Sequence, residues 1–170
     1  KEKKVMKKYD VVIGIDPDVD KSGIAYVETE SRMLEATCLT FAELLDYLRE
    51  AGEVLTERGK SFVVVVEAGW LNKAHWHVGK GGSAARSAAI GNHTGRNHEV
   101  GRKIVEMCRH YGIEVVEQPP LRKMWKGKDG KITHEELQHF TGITGKTNQE
   151  TRDAALLAWE YAGLPIRIKN

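Results

Sequence analysis

Apolar and polar positions alternate between short runs and helical periods along the chain. Val11–Ile15 is an apolar run closed by Asp16-Pro17, which predicts a short buried strand. Ser22–Glu28 and Arg32–Leu39 predict two more strands, joined at the polar Thr29-Glu30-Ser31. Three short strands in succession imply an antiparallel meander. Phe41, Leu44, Leu45, Leu48 and Leu55 then fall at helical spacing, with Thr40 as N-cap and Glu43 three residues on. Ser61–Glu67 carries Phe62 and four valines, the pattern of a central strand covered on both faces. Gly69–Gly82 reads as loop, and Ser83–Tyr111 as a long helix weakened by Gly91, Gly95 and Gly101. Ile113–Glu117 predicts a strand stopped by Pro119-Pro120, followed by a flexible basic loop at Lys126–Lys131. Thr133–Phe140 predicts a short helix boxed by Thr133 and Glu136. Asn148–Tyr161 predicts a last helix with Ala154, Leu157, Ala158 and Tyr161 on its apolar face. The order is that of an α/β protein without repeats, low-complexity tracts or linkers.

Length turns this into one domain, residues 1–170, because 170 residues match a single core. A hydrophobic share of 41% against 29% charged is ordinary globular usage and excludes disorder. The longest strongly apolar run, Val63–Val66, is far short of the roughly 20 residues of a membrane helix, so no membrane partner is expected. Cys38 and Cys108 lie far apart without a CxxC pattern. That excludes a disulfide framework or Cys-type zinc site and fits a reducing, cytoplasmic setting. Met6 is read as a native start, with residues 1–8 a flexible basic leader.

The net charge of +2 conceals segregation. Residues 28–58 hold eight acids (Glu28, Glu30, Glu35, Glu43, Asp46, Glu50, Glu53 and Glu57) against Arg32, Arg49 and Arg58, a net of −5. Residues 70–110 hold Lys73, Lys80, Arg86, Arg96, Arg102, Lys103 and Arg109 against Glu99 and Glu106, a net of +5, with five of the seven histidines. Residues 121–133 add Arg122, Lys123, Lys126, Lys128 and Lys131 against Asp129, a net of +4. Two basic segments are what a phosphate-binding face requires, although solvated loops and helix faces carry such charge too.

The placement of particular acids gives the charge a meaning. Asp16 and Glu67 each close a strand whose body is Val and Ile or Val alone. Strand C-terminal ends border the crevice where open α/β sheets bind ligands. Glu150 and Asp153 stand three apart on the last helix and share a face, beside Ala154 and Leu157. Four carboxylates on three elements are thus placed to converge. Gathered without partners they repel one another and take up protons. Divalent cations remove that penalty, and Mg²⁺ favours a few carboxylates with water and phosphate oxygens. Two such ions about 4 Å apart clamp the attacking and leaving oxygens of a phosphodiester. Taken singly, Asp16 also reads as a turn residue, Glu67 as a strand-end charge, and Glu150 and Asp153 as first-turn acids favoured by the helix dipole.

Gly14-Ile15-Asp16-Pro17 followed by Ser22-Gly23-Ile24-Ala25 resembles the opening of the RuvC-type Holliday junction resolvases. Val63-Val64-Val65-Val66-Glu67 is similar to that family's second acid site, and Glu150-Thr151-Arg152-Asp153-Ala154-Ala155-Leu156-Leu157-Ala158 to its last two. Ile90-Gly91-Asn92-His93-Thr94-Gly95 and the pair Pro119 and Lys123 match as well. The resemblance spans residues 10–162. It implies an RNase H-like fold, a five-stranded mixed sheet flanked by helices, in a bacterial or phage-encoded protein. It implies a homodimeric endonuclease that resolves four-way DNA junctions with Mg²⁺, Mn²⁺ being a possible substitute. Asp16 would bridge both metals, Glu67 and Asp153 would each hold one, and Glu150 would complete the shell or orient the attacking water. Trp70, three residues after the second acid, takes the place of an aromatic that stacks on junction bases. Lys123, Lys126 and Arg122 are expected on phosphates, with Lys73, Lys80 and Arg86 extending the surface.

The chain departs from that pattern at Asp18, where the family usually has Gly, and in the longer segment from Glu67 to the Gly91-Gly95 helix. Asp18 is read as a turn residue, with a fifth site acid as the alternative. Trp70 has a core position as its alternative, and His75-x-His77 finds no further ligands to complete a zinc set. An RNase H-like nuclease acting on structured RNA, as in ribosomal RNA processing, is the second functional reading, with Lys21 in the first turn as its support. An actin-like ATP-binding module is excluded by length and by the lack of a second phosphate loop.

Overall fold

The apolar run Val11–Asp16 forms the middle strand, β1, of a five-stranded sheet. The computed structural model describes residues 7–72 and 84–170. On one side β1 pairs antiparallel with β2 (Ser22–Glu28), which pairs antiparallel with the edge strand β3 (Leu34–Leu39). On the other side it pairs parallel with β4 (Phe62–Glu67), which pairs parallel with β5 (Val115–Gln118). The order β3-β2-β1-β4-β5 makes the expected five-stranded mixed sheet. Helices α1 (Phe41–Glu57), α2 (Ala84–His110), α3 (His134–Thr141) and α4 (Gln149–Tyr161) flank it.

Strand alternation builds two cores. Val12, Val63 and Val65 point to one face, where Ala154, Leu157 and Trp159 of α4 cover them. Ile13, Ile15, Val64 and Val66 point to the other, against Leu44 and Leu48 of α1 and Ile104 and Cys108 of α2. The α4 layer lies so close that a Cβ on Gly14 would meet the Ala154 carbonyl oxygen at 2.5 Å. One on Gly23 would meet the Glu150 carbonyl oxygen at 2.1 Å. These glycines admit the helix backbone onto the sheet.

The expected caps are present. Thr40 with Glu43 and Thr133 with Glu136 form capping boxes, and Asn148 caps α4. Two strand boundaries differ from expectation. Arg32 lies in the left-handed region at φ 62° and turns the chain back, so β3 begins at Leu34. Ile113 is drawn into the α1–α2 core, its N–H donating to the Cys108 carbonyl, so β5 begins at Val115.

The basic stretch Lys126–Lys131, expected to be flexible, is an ordered turn. The Trp125 N–H donates to the Gly130 carbonyl and that of Gly127 to Lys131, while Asp129 and Gly130 take positive φ. Buried Glu136 anchors the turn by accepting from the Lys126 and Thr133 N–H groups. Among the described residues no helix is long and apolar enough to cross a membrane.

Candidate active site

The parallel register of β1 and β4 sets Ile15 beside Val66, so the next residues, Asp16 and Glu67, stand at adjacent strand ends. Asp153 reaches the same place from the second turn of α4. Asp16, Glu67 and Asp153 line one cleft of about 80 Å³ with Arg122, Lys123 and Lys131. Such a volume holds a few water-sized groups.

The carboxylates perturb one another. Burial first, then the charges of Glu67 and Asp153, pushes Asp16 well above the usual carboxylate range. Glu67 is raised by burial and by Asp153, against the pull of Lys123, Lys131 and a hydrogen bond shared with Asp16. Burial also raises Asp153, against a hydrogen bond from Gln149 and the charges of Lys131, Lys123 and Arg152. The Asp153 Oδ1 accepts from Gln149 Nε2 at 2.8 Å, and its Oδ2 faces Lys131 Nζ at 3.7 Å.

Three of the four expected acids are therefore brought together. Glu150 is half-buried one turn earlier on α4, does not line the cleft, and acts on Asp16 only as a weaker charge. Its backbone, rather than its carboxylate, is pressed against Gly23 of β2.

The donor set suits a hard divalent cation: it is all oxygen, and burial, with mutual repulsion at Asp16 and Glu67, raises each carboxyl above its usual range. Among the described residues no three His, Cys, Asp or Glu side chains are already arranged to hold a metal ion. Asp16 and Glu67 instead act on each other, and Asp153 is engaged by Gln149 and Lys131.

Among the expected DNA contacts, Arg122 and Lys123 line the cleft. Lys126 Nζ donates to the Lys169 carbonyl on the C-terminal tail at 3.2 Å. Arg86 lies on the exposed first half of α2, and Lys73 and Lys80 fall outside the described residues, as do His75, Trp76 and His77.

Of the two positions weighed for Trp70, stacking face or core, the structure shows the indole partly covered. Trp70 is half-buried against α2, edge-on to His98 at 6.1 Å between centroids, with the Arg102 guanidinium over its ring at 5.6 Å. A Cβ on Gly101 would meet it at 2.4 Å, so the glycine is the socket. Asp18 is a turn residue as expected: its Oδ1 accepts from the Asp20 N–H at 2.8 Å.

Lys131 is the cleft residue that pattern reading did not single out. It had been counted only within a basic stretch, although Asp129-Gly130 marks the turn that brings it in.

Neither a family model nor a curated protein matches the sequence. Solved structures of low identity are similar to it. One is the Thermus thermophilus RuvC structure, with 18% identity over 90% of this chain and 96% of that chain and a TM-score of 0.44. Another is T. thermophilus RuvC in complex with a Holliday junction substrate, with 16% identity over 88% and 91% and a TM-score of 0.48. A third is the Fowlpox virus resolvase with its substrate Holliday junction DNA, with 12% identity over 90% and 97% and a TM-score of 0.41. At identities and scores this low, function has to be read from the cleft itself.

Proposed function

We propose that the chain is a divalent-metal-dependent endonuclease that cuts branched DNA, four-way junctions in particular, by phosphodiester hydrolysis. One observation carries this reading: Asp16, Glu67 and Asp153 converge with Lys123 and Lys131 in a single cleft at the C-terminal ends of β1 and β4.

Asp16, Glu67 and Asp153 would hold Mg²⁺, with Mn²⁺ as a substitute. The bound ions would activate a water and neutralise charge developing on the phosphate. Asp16 feels the charges of both Glu67 and Asp153, which suits a shared ligand. Lys123 and Lys131 line the same cleft, where they would bind the non-bridging oxygens and hold the scissile phosphate beside the acids. Glu150, which does not line the cleft, would orient water from outside it.

Lys131→Ala is expected to lower the cleavage rate by about 10–100-fold with a smaller loss of affinity, because its ammonium faces the reacting phosphate. Lys123→Ala is expected to weaken binding as well and to reduce the salt slope by about one unit. Junction titrations at several salt concentrations, with single-turnover rates, check both. Unchanged rate and affinity in both variants would remove the lysines from the mechanism.

The deciding experiment offers a labelled four-way junction, a linear duplex and a structured RNA, with Mg²⁺ or with chelator. Metal-dependent paired nicks in the junction are the expected result. Preferential cutting of the RNA would move the substrate to the second reading, and no cutting at all would overturn the proposal.

Paired cuts call for two sites, so we further propose a homodimer. Among the described residues, a Cβ on Gly91 or Gly95 would meet nothing within 4 Å, and neighbouring Ile90 is 46% exposed. That face of α2 is therefore not spent on the chain's own sheet. Sedimentation should show a dimer at micromolar concentration, and Gly95→Leu should weaken it and convert paired cuts into single nicks. A monomer both free and junction-bound would exclude the dimer.

A further inference from the structure

Gln149 opens α4, one turn before Asp153. One amide proton goes to Asp153 Oδ1 at 2.8 Å and the other to the Ile132 carbonyl at 3.2 Å. Its own oxygen accepts from Arg152 Nη2 at 3.0 Å. The amide is therefore saturated, and in one sense only. Flipped, it would set its oxygen against two acceptors and its NH₂ against a guanidinium.

Arg152 holds this arrangement from the next turn. Its Nε donates to the Ile132 carbonyl at 3.1 Å, and its Nη1 to the Thr147 carbonyl and hydroxyl, each at 3.1 Å. The Ile132 carbonyl thus accepts two bonds from α4. It directly follows Lys131, whose ammonium faces the second Asp153 oxygen. One hydrogen-bonded unit thereby sets both the carboxylate and the backbone that carries the lysine.

We propose that Gln149, fixed in orientation by Arg152, is a positioning residue that aims Asp153 into the cleft and ties the Lys131 turn to α4. This rests on the nuclease reading above. A carboxylate with one oxygen committed to a rigid amide presents the other in a defined direction. Partners of this kind change metal affinity or activity by 10–100-fold when removed. A purely structural lock on the helix start would change stability without that effect.

The test is Mn²⁺ titration of the full chain by calorimetry, with melting temperature recorded for each variant. Gln149→Met keeps the side-chain volume and removes both donors. It should weaken Mn²⁺ binding by about 10–100-fold while the metal-free melting temperature changes by only a few degrees. Arg152→Lys keeps the charge, loses the fork and frees the amide to flip, so it should weaken Mn²⁺ binding by a smaller factor. The double variant should bind no more weakly than Gln149→Met alone, because Arg152 acts through Gln149. Equal Mn²⁺ affinity in the parent and Gln149→Met, or losses that multiply in the double variant, would overturn the assignment. If Gln149→Met does not fold, parent-like affinity in Arg152→Lys overturns it instead. A parent chain that binds no Mn²⁺ overturns the nuclease reading itself, and this inference with it.

Discussion

Asp16→Asn is expected to abolish cleavage, lowering the rate by about 10³-fold or more, while leaving junction binding within a few-fold of the parent. A single lost metal ligand removes several kcal/mol of transition-state stabilisation, and each 1.36 kcal/mol is tenfold in rate. The basic residues stay in place. The same change should stabilise the metal-free fold. Asp16 is raised well above its usual range by burial, then by Glu67 and Asp153, so the folded state holds its proton more tightly than the unfolded chain does. For a raised carboxylate the stabilisation is fully present below the unfolded pKa, about 4. It is lost as pH rises through the folded value. Metal-free parent protein should therefore lose stability as pH rises above about 4, and Mg²⁺ should restore it. Asn has no proton to lose, and its amide can donate to Glu67. Asp16→Asn should flatten that pH dependence and raise neutral-pH stability by roughly 1–2 kcal/mol, at about 2–4 °C in Tm per kcal/mol for a domain of this size. Melting curves with and without Mg²⁺, set beside junction cleavage, check both halves. An active Asp16→Asn protein would remove this carboxylate from the site.

The sheet was legible because its signals are local. Val11–Asp16 and Phe62–Glu67 are short apolar runs that end on an acid, and their parallel pairing carries both acids to one edge. Thr40 with Glu43 and Thr133 with Glu136 mark helix starts within four residues of sequence. What was not legible depends on distant partners. The Lys126–Lys131 turn looks flexible in sequence because its anchor, Glu136, lies on α3 and nothing local reveals that it is buried. Trp70 looks like an exposed stacking residue because the gap that receives it, Gly101, lies on another helix. Helical spacing put Glu150 and Asp153 on one face of the last helix. It could not show that the first turn of α4 rests on Gly23 or that Glu150 is not among the residues lining the cleft. The Gln149–Arg152 network escaped for the same reason, since its acceptors at Ile132 and Thr147 belong to other segments.

Gly23→Ala is expected to cost the fold about 3 kcal/mol and to reduce cleavage further than the lost stability explains. The added Cβ would stand 2.1 Å from the Glu150 carbonyl oxygen and 2.5 Å from its carbon. Both are backbone atoms of α4's first turn, so no side chain can rotate away. Overpacking of well-packed interiors typically costs 1–3 kcal/mol, and a backbone obstacle belongs at the upper end. The cheapest relief is to lift the start of α4 off β2. That motion carries Gln149 and Asp153 with it and opens their distance to Asp16 and Lys131. Displacements near 1 Å at a reacting centre cost on the order of 10²-fold in rate. The control is Gly52→Ala in α1, where a Cβ meets only side-chain atoms, of Ile113 at 3.4 Å and Phe62 at 3.7 Å. That replacement should be neutral or stabilising by up to about 1 kcal/mol, since Ala is the better helix former. Urea unfolding gives the stability difference, and cleavage rates well below the unfolding transition isolate the positional effect. If Gly23→Ala behaves like Gly52→Ala in both measurements, the close seating of α4 on β2 does not hold the site together.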